Sequence, residues 1–360
     1  MAVPSTFLGC EVLTPKARTS LKQRSLPALG LNEVGIKITT TAINPVDHKM
    51  RDNDAFIKEY PAVLGSDAAG VVVDIGSGVK RLRIGDRVFF QGIIGNYDSS
   101  TFQQYCKMPA ELVSKTPENI SDEEASGIML ATVAVVTAFY AEEGHGMPPP
   151  WEEGGRNVGK GKSIVIIGGA SSVGQYAIQM ARLSGYERII TNASPNNHDF
   201  LESIGAHVVL ERSTSTPTSF FDATGGLPLD FVFDAISAPA TQKLGIEVLQ
   251  KAKSGSHLVT VHTVVHDVPD PEAKALGQTH EPFIEIKQIL GIGSSPSLRH
   301  LSEPLAEFLG GPDGYIAQGL FIPNRSHIVP GGLAAIEEAM QLSKKGVSGR
   351  KVIISPQETA

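Results

Sequence analysis

The chain has 360 residues, enough for two domains of ordinary size, and 41% of them are hydrophobic, a composition that supports buried cores and excludes a disordered chain. Lys and Arg supply 31 positive charges against 38 negative ones from Asp and Glu, for a net charge of −7 with no basic block. No nucleic acid or other polyanion is therefore expected as a partner.

Cysteine is scarce. Cys10 and Cys106 are the only two, too few for a disulfide scaffold or an all-cysteine, four-ligand zinc site, and they fit a reducing, cytoplasmic compartment. Residues 1–25 are interrupted by Pro4, Glu11, Pro15, Lys16 and Arg18, so no signal peptide is expected. The longest apolar contender, residues 127–140, is followed by Glu142 and Glu143 and falls short of the roughly 18 apolar residues of a membrane span. No membrane association is expected.

Along the first third, Val34, Ile36 and Ile38 alternate with Gly, Lys and Thr, and residues 71–73 and 88–90 form compact β-rich runs bounded by glycines. These read as short strands of a small β-rich domain. Ser121, followed by three acidic residues, supplies an N-cap and an acidic first turn for a helix over the apolar segment 125–140. Residues 144–162 are rich in Gly and Pro, including Pro148, Pro149 and Pro150, and read as an irregular excursion at a domain boundary. The apolar run 163–167 suits a strand buried on both faces, and residues 173–184 suit a helix. Further βα units are expected over 187–210 and 229–252, giving a parallel sheet. Leu333, Ile336 and Met340 share one helical face, and residues 351–355 read as a closing strand.

Between the strand at 163–167 and its helix lies Gly168-Gly169-Ala170-Ser171-Ser172-Val173-Gly174. Small residues there let backbone N–H groups approach a pyrophosphate, and the helix N-terminus favours the anion. As a GxGxxG pattern it has Gly169 and Gly174, with Ser171 at the middle glycine position. About 20 residues further on, an NAD site carries an acid on the ribose hydroxyls. Here the chain reads Ala193-Ser194-Pro195-Asn196-Asn197; an acid would repel a 2′-phosphate, whereas Ser194, Asn196, Asn197 and backbone donors could receive it. NADPH is therefore the expected cofactor. The same residues would also serve as an ordinary capped turn before a helix.

Asn44-Pro45-Val46-Asp47, Gly65-Ser66-Asp67, Gly70, Gly85-Asp86-Arg87-Val88, the glycine turn and Gly349-Arg350-Lys351-Val352 follow one another in order. In these motifs the chain resembles the medium-chain dehydrogenase/reductase superfamily over nearly its whole length. The resemblance implies an α/β protein: a GroES-like β-rich catalytic domain from residues 1–140 and 296–360, and a Rossmann doubly wound parallel sheet over 141–295. Asn44 and Ser66 align with the cysteine and histidine ligands of zinc-dependent members, so no metal is expected and oxidation of an alcohol at zinc is disfavoured. The remaining branch is that of quinone reductases and enoyl reductases. Residues 44–50, the 144–162 excursion, the glycine turn and residues 193–197 most resemble fungal trans-acting enoyl reductases.

That resemblance implies NADPH delivering hydride to the β-carbon of an α,β-unsaturated carbonyl or thioester, with hydrogen-bond donors stabilising the enolate. Lys49 is a candidate donor to the oxyanion or an ordinary surface lysine; His48 beside it is the weaker candidate. Tyr60 is a proton donor by analogy, or packs beside Pro61. The resemblance brings Asn44, Thr137 and Ile236 to the cofactor, with Thr137 open to an ordinary helix role and Lys351 either reaching the cofactor or exposed. Acceptors are an enone, an enoyl thioester, which a polyketide synthase carrier domain could bear, or a quinone. A nucleotide-binding structural or assembly protein without turnover is the remaining alternative.

Overall fold

The computed structural model describes residues 3–261 and 269–359. The chain divides into two compact units: Met1–Leu130 with Ile292–Ala360, and Ala131–Gly291.

The first unit is β-rich. In chain order it contains β1 (Phe7–Val12), β2 (Thr19–Arg24), β3 (Glu33–Ala42), α1 (Pro45–Asn53), β4 (Ala62–Val63), β5 (Ala68–Ile75), β6 (Arg87–Phe90), β7 (Tyr105–Pro109), β8 (Val113–Lys115) and α2 (Asp122–Ala125), before α3 (Met129–Tyr140) begins. The alternation expected around Val34, Ile36 and Ile38 is that of β3. All three side chains are fully buried against Val72, Val88 and Phe90, each burial stabilising by about 1.5–3 kcal/mol. β3 pairs antiparallel with β5, from Val34 opposite Ile75 to Thr41 opposite Ala68.

Ser121 caps α2 as expected, its hydroxyl accepting from the Glu124 N–H at 3.2 Å. The single helix expected over 125–140 is instead two pieces, α2 and α3, with residues 126–128 between them. Gly127 lies against the stem of Lys351; a Cβ there would come within 2.8 Å of Lys351 Cγ. The apolar stretch Asp122–Tyr140 has the length and hydropathy of a membrane span, yet 83% of it is buried inside the protein, as in a core helix.

From Ala131 onward α3 belongs to the second unit, followed by β9 (Ser163–Ile167), α4 (Ser172–Leu183), β10 (Arg188–Ala193), α5 (His198–Ser203), β11 (Val208–Glu211), α6 (Pro217–Ala223), β12 (Leu229–Asp234), α7 (Pro239–Lys251), β13 (His257–Val261), α8 (Pro271–Gly277) and β14 (Glu285–Ile289). The six strands form one sheet in the order β11-β10-β9-β12-β13-β14, and every pairing is parallel. The order reverses between β9 and β12, the switch point at which doubly wound sheets open toward ligands at the carboxyl ends of their strands. All five residues of β9 are buried, which is why it reads as an unbroken apolar run. Phe139 on α3 meets Phe231 and Phe233 of β12 edge to face, at 5.2 and 5.5 Å. Residues 144–162 contain only one short helical turn, Gly155–Asn157, and pack on this unit: Trp151 meets Tyr140 edge-on at 5.7 Å.

The chain then returns to the first unit with α9 (Arg299–Leu309), β15 (Arg325–Ile328), α10 (Ile336–Lys345) and β16 (Arg350–Ile354). Ile336 and Met340 are buried on α10, while Leu333 sits one turn earlier in a 3-10 segment. β16 joins β3, with Ile353 opposite Ala42. This pairing brings the end of the chain beside Asn44.

Candidate active site

In the second unit the glycine turn leaves β9 at its carboxyl end. Gly168 has φ +83°, a left-handed conformation that favours glycine. Gly169 and Gly174 have no room for a Cβ, which would overlap Thr191 Oγ1 in one case and the Gly168 carbonyl in the other. The turn is held from β10: the Gly168 N–H donates to Asn192 Oδ1 at 2.9 Å, and the Gly169 N–H to the Asn192 carbonyl at 3.2 Å. Ser171 caps α4, its hydroxyl accepting from the Gly174 N–H at 3.0 Å and donating to the Gly168 carbonyl at 2.9 Å. The Ala170 carbonyl is taken by Gln175. Ser172 and Val173 open the helix half-buried, and their N–H groups find no acceptor within it. This is a backbone cradle that fits a pyrophosphate at a helix N-terminus.

Ile236 lies over the same turn: a Cβ on Gly168 would run into its side chain, and Ile236 is itself 48% exposed. Its loop is set by Asp234, whose Oδ1 receives the N–H groups of Ile236 and Ser237 at 3.0 Å each and whose Oδ2 receives the Thr241 hydroxyl at 2.7 Å. Burial pushes the Asp234 carboxyl up to about 6, against those hydrogen bonds. At the end of β10, Ser194 is half-buried, Asn196 exposed and Asn197 buried, and no acidic side chain lies between Ala193 and His198. Thr137 is buried, and its hydroxyl donates to the Val133 carbonyl at 2.8 Å within α3.

The first unit gathers a second constellation. Asn44 precedes α1, with Pro45 at the first helical position, and its N–H donates to Asp47 Oδ2 at 2.7 Å. Ser66 donates to Asp47 Oδ1 at 3.2 Å. Asn44 Nδ2 faces the Ala42 carbonyl and Asp67 Oδ2 at 3.4 and 3.5 Å, while Asp67 Oδ1 accepts the Leu130 N–H at 3.3 Å. Lys351 is not exposed: it is 4% accessible, its ammonium donates to Asn44 Oδ1, and Asp67 Oδ2 lies 3.8 Å away. Burial pushes Asp47 and Asp67 up to about 7 each, opposed by the hydrogen bonds they accept and by Lys351. Burial also lowers the Lys351 ammonium, and the two carboxylates resist that shift. Among the described residues no cluster of three or more His, Cys, Asp or Glu side chains could hold a metal ion.

His48 and Lys49 lie on α1, His48 buried with its imidazole lowered by burial and Lys49 half-buried. The Tyr60 hydroxyl donates to Asp54, and burial together with that carboxylate pushes the phenol up to about 12. The fold thus joins Asn44 to Lys351, and the glycine turn to Ile236, while His48 and Lys49 lie on α1 and Tyr60 is given to Asp54. Sequence reasoning missed Asn192, whose signal was its position one residue after Thr191, the side chain against which Gly169 is packed.

Residues 30–118 match the alcohol dehydrogenase GroES-like domain and residues 172–262 the family described as zinc-binding dehydrogenase. The trans-enoyl reductase himH of Aspergillus japonicus is 30% identical over 355 residues, covering 94% of this chain and 95% of that protein. The trans-enoyl reductase tndF of Aspergillus flavipes is 30% identical over 361 residues, covering 95% and 96%. Among solved structures, the quinone oxidoreductase of Coxiella burnetii superposes with a TM-score of 0.70 at 21% identity, covering 97% of this chain and 99% of that one. The Escherichia coli quinone oxidoreductase complexed with NADPH gives 0.71 at 18% identity, covering 98% and 100%. The chain belongs to the medium-chain dehydrogenase/reductase superfamily, a family that binds NAD(P)H, and is an oxidoreductase of its enoyl reductase or quinone reductase type.

Proposed function

We propose that the protein is a cytoplasmic, NADPH-dependent reductase that saturates the activated carbon–carbon double bond of an α,β-unsaturated carbonyl compound or thioester without zinc. The observation that carries the metal-free reading is the ammonium seated on Asn44. At the positions aligned with zinc ligands this chain has an amide and a hydroxyl, Asn44 and Ser66, already engaged with Lys351 and Asp47. A zinc ion brought there would meet the Lys351 ammonium and, beside the carboxyls of Asp47 and Asp67, neutral oxygens in place of thiolate or imidazole. The turn at Ser194, Asn196 and Asn197 supports NADPH, because no carboxylate stands there to repel a 2′-phosphate. Cys10 and Cys106, both free and buried, support a reducing compartment.

Bound NADPH would supply a hydride to the β-carbon, becoming NADP+. Electrons then move onto the carbonyl oxygen, and one proton must reach the α-carbon to complete the saturated product. Lys49 and His48 of α1 are the proposed donors to the enolate oxygen. The Tyr60 hydroxyl, already given to Asp54, supports a packing role in place of proton donation. Gly169, Ala170, Ser171, Ser172, Val173 and Gly174 would hold the pyrophosphate, with Thr137 and Ile236 as the other proposed cofactor contacts of the second unit; Asn44 and Lys351 are those proposed for the first unit. The names of himH and tndF favour enoyl substrates, free or borne on a polyketide synthase carrier domain.

The test is NADPH consumption with enones, enoyl thioesters free and carrier-bound, and quinones, each with and without a chelator. Turnover of enoyl acceptors, indifferent to chelator and much weaker with NADH, is expected. Turnover of quinones alone would replace this reading with NADPH:quinone oxidoreduction, and tight NADPH binding with no turnover would make the chain a binding or assembly protein. Loss of activity on chelation would overturn the metal-free part.

A further inference from the structure

Residues 144–151 join the last turn of α3 to the amino edge of the parallel sheet. On the helix side the bonds come from the backbone: the Gly144 N–H donates to the Ala141 carbonyl at 2.9 Å, the His145 N–H to Ala138 at 2.7 Å and the Met147 N–H to Phe139 at 3.1 Å. They serve carbonyls that a helix end leaves without a partner of its own. Gly144 passes so close that a Cβ there would run into the carbonyls of Thr137 and Ala138.

On the sheet side one imidazole makes the connection. His145 stacks on Phe231 with ring centroids 4.0 Å apart and planes 17° from parallel. Its Nε2 lies 3.3 Å from Asp230 Oδ2 and its Nδ1 3.1 Å from Nε2 of His257, the first residue of β13. Around this pair stand Lys287 of β14, which donates to the Gly144 carbonyl at 2.8 Å, and two further donors to Asp230, Tyr186 at 2.6 Å and Lys162 at 3.2 Å. Glu142 and Glu143, at the start of the segment, are exposed.

These contacts assign the protons. Burial raises the Asp230 carboxyl, but the hydrogen bonds of His145, Tyr186 and Lys162 hold it down at about 2, so it only accepts. His145 Nε2 therefore carries a hydrogen and Nδ1 a lone pair, and His257 Nε2 is the donor between the two rings. The pair can take up one proton and keep that bond. A second proton sets N–H against N–H, and both imidazoliums, Lys162 and Lys287 against the single carboxylate of Asp230. Burial, with Lys287 and His145, lowers the His257 imidazole from 6.5 to about 4; between those values an opened segment binds protons that the closed one refuses.

We propose that residues 144–151 form a proton-operated latch: the unprotonated His145–His257 pair fastens them to the sheet, and acid releases them and loosens the turn of α3 that begins at Thr137.

Trp151 is the only tryptophan in the chain and meets Tyr140, the last residue of α3, at 5.7 Å, so its emission reports on the latch. The experiment titrates the full-length wild type, H257Q and H207Q with acid, following Trp151 emission and far-UV circular dichroism. Gln at position 257 can donate the same bond but takes no proton. In the wild type the emission is expected to move to the red between pH 6.5 and about 4 with the circular dichroism unchanged, and in H257Q the transition should lie about one pH unit further into acid. His207, lowered by burial and by Arg188, is the control, and H207Q should follow the wild type. No change in emission, a change that comes only with loss of the circular dichroism, one unmoved by H257Q, or one moved equally by H207Q would each overturn the latch.

Discussion

Asp67 in the first unit and Asp230 in the second are both withdrawn from water and both have a lysine ammonium within 4 Å, yet one carboxyl is pushed up to about 7 and the other held down at about 2. Depth of burial and the closeness of the donors separate them: the Leu130 N–H, Asn44 Nδ2 and Lys351 stand 3.3–3.8 Å from Asp67, whereas the three donors of the less deeply buried Asp230 stand at 2.6–3.3 Å. Asp67 is fully buried, sees Lys351 at 3.8 Å, and has a second buried acid, Asp47, nearby. Asp230 is also pushed up by burial, but Tyr186 donates to it at 2.6 Å and Lys162 at 3.2 Å, with His145 Nε2 at 3.3 Å. Its group sits at the amino edge of the parallel sheet: His257 opens β13, and His145 Nδ1 lies 3.1 Å from His257 Nε2. The glycine turn is at the carboxyl edge, so in this unit the satisfied polar network and the candidate ligand site are separated by the length of the strands. In the first unit the under-satisfied network is itself part of the candidate site, where perturbed ionisable groups concentrate.

Replacing Lys351 with Met is the most damaging way to break this comparison. It leaves Asp47 and Asp67 buried without their cation, and denaturant titration is expected to show a loss of about 3–5 kcal/mol above neutral pH, the cost of breaking a buried ion pair from one side. Because both acids can take up protons near pH 7, the loss should shrink in acid, and adding D67N to K351M should restore much of it. A loss independent of pH and untouched by D67N would mean that Lys351 contributes only packing.

The two clusters should also respond to pH in opposite directions. For Asp47 and Asp67 the ordinary value is 3.8 and the folded value about 7, so the native state binds more protons in that window. Their contribution is full below 3.8 and is lost as pH rises through about 7. For His257 the ordinary value is 6.5, and burial, with Lys287 and His145, lowers it to about 4. The unfolded state then binds more protons, and this contribution is full above 6.5 and lost as pH falls through about 4. Amide exchange, corrected for intrinsic rates, should therefore show β16 and β3 losing protection between about pH 5 and 7 while β12 and β13 gain it. Parallel trends in both sets of strands would refute the contrast.

The glycine turn was legible because its signal is local: a buried strand, small residues and a helix start stand together in the sequence. Asn44 and Ser66 showed in the sequence only that cysteine and histidine are missing there; their hydrogen bonds to Lys351 and Asp47 came from the fold. Lys351 was ambiguous, since its partner Asn44 is 307 residues distant in sequence and only the pairing of β16 with β3 brings them together. The same lysine stem lies against Gly127, within the break between α2 and α3 that the apolar run 125–140 does not announce. The network of Asp230, His145 and His257 joins the ends of three elements, and no periodicity points to it.

The mildest perturbation sharpens the account of Asp230. Tyr186 is buried, and burial with the adjacent carboxylate pushes its phenol far above the ordinary range, so it remains a neutral donor over the whole working pH range. Y186F keeps the ring and removes one of three donors, leaving His145 and Lys162 on Asp230. The expected cost is about 1.5 kcal/mol in denaturant titration near neutral pH, the lower end for a hydrogen bond to a charged group. With one donor gone the Asp230 carboxyl should rise from about 2 toward its ordinary 3.8, so less of its contribution remains to be lost in acid and the gap between variant and wild type should close as pH falls. A gap that stays constant down to about pH 3 would mean that the Tyr186 hydroxyl acts through its contact with the Met147 sulfur, 3.5 Å away, and that the short bond to Asp230 is not what holds that carboxyl down.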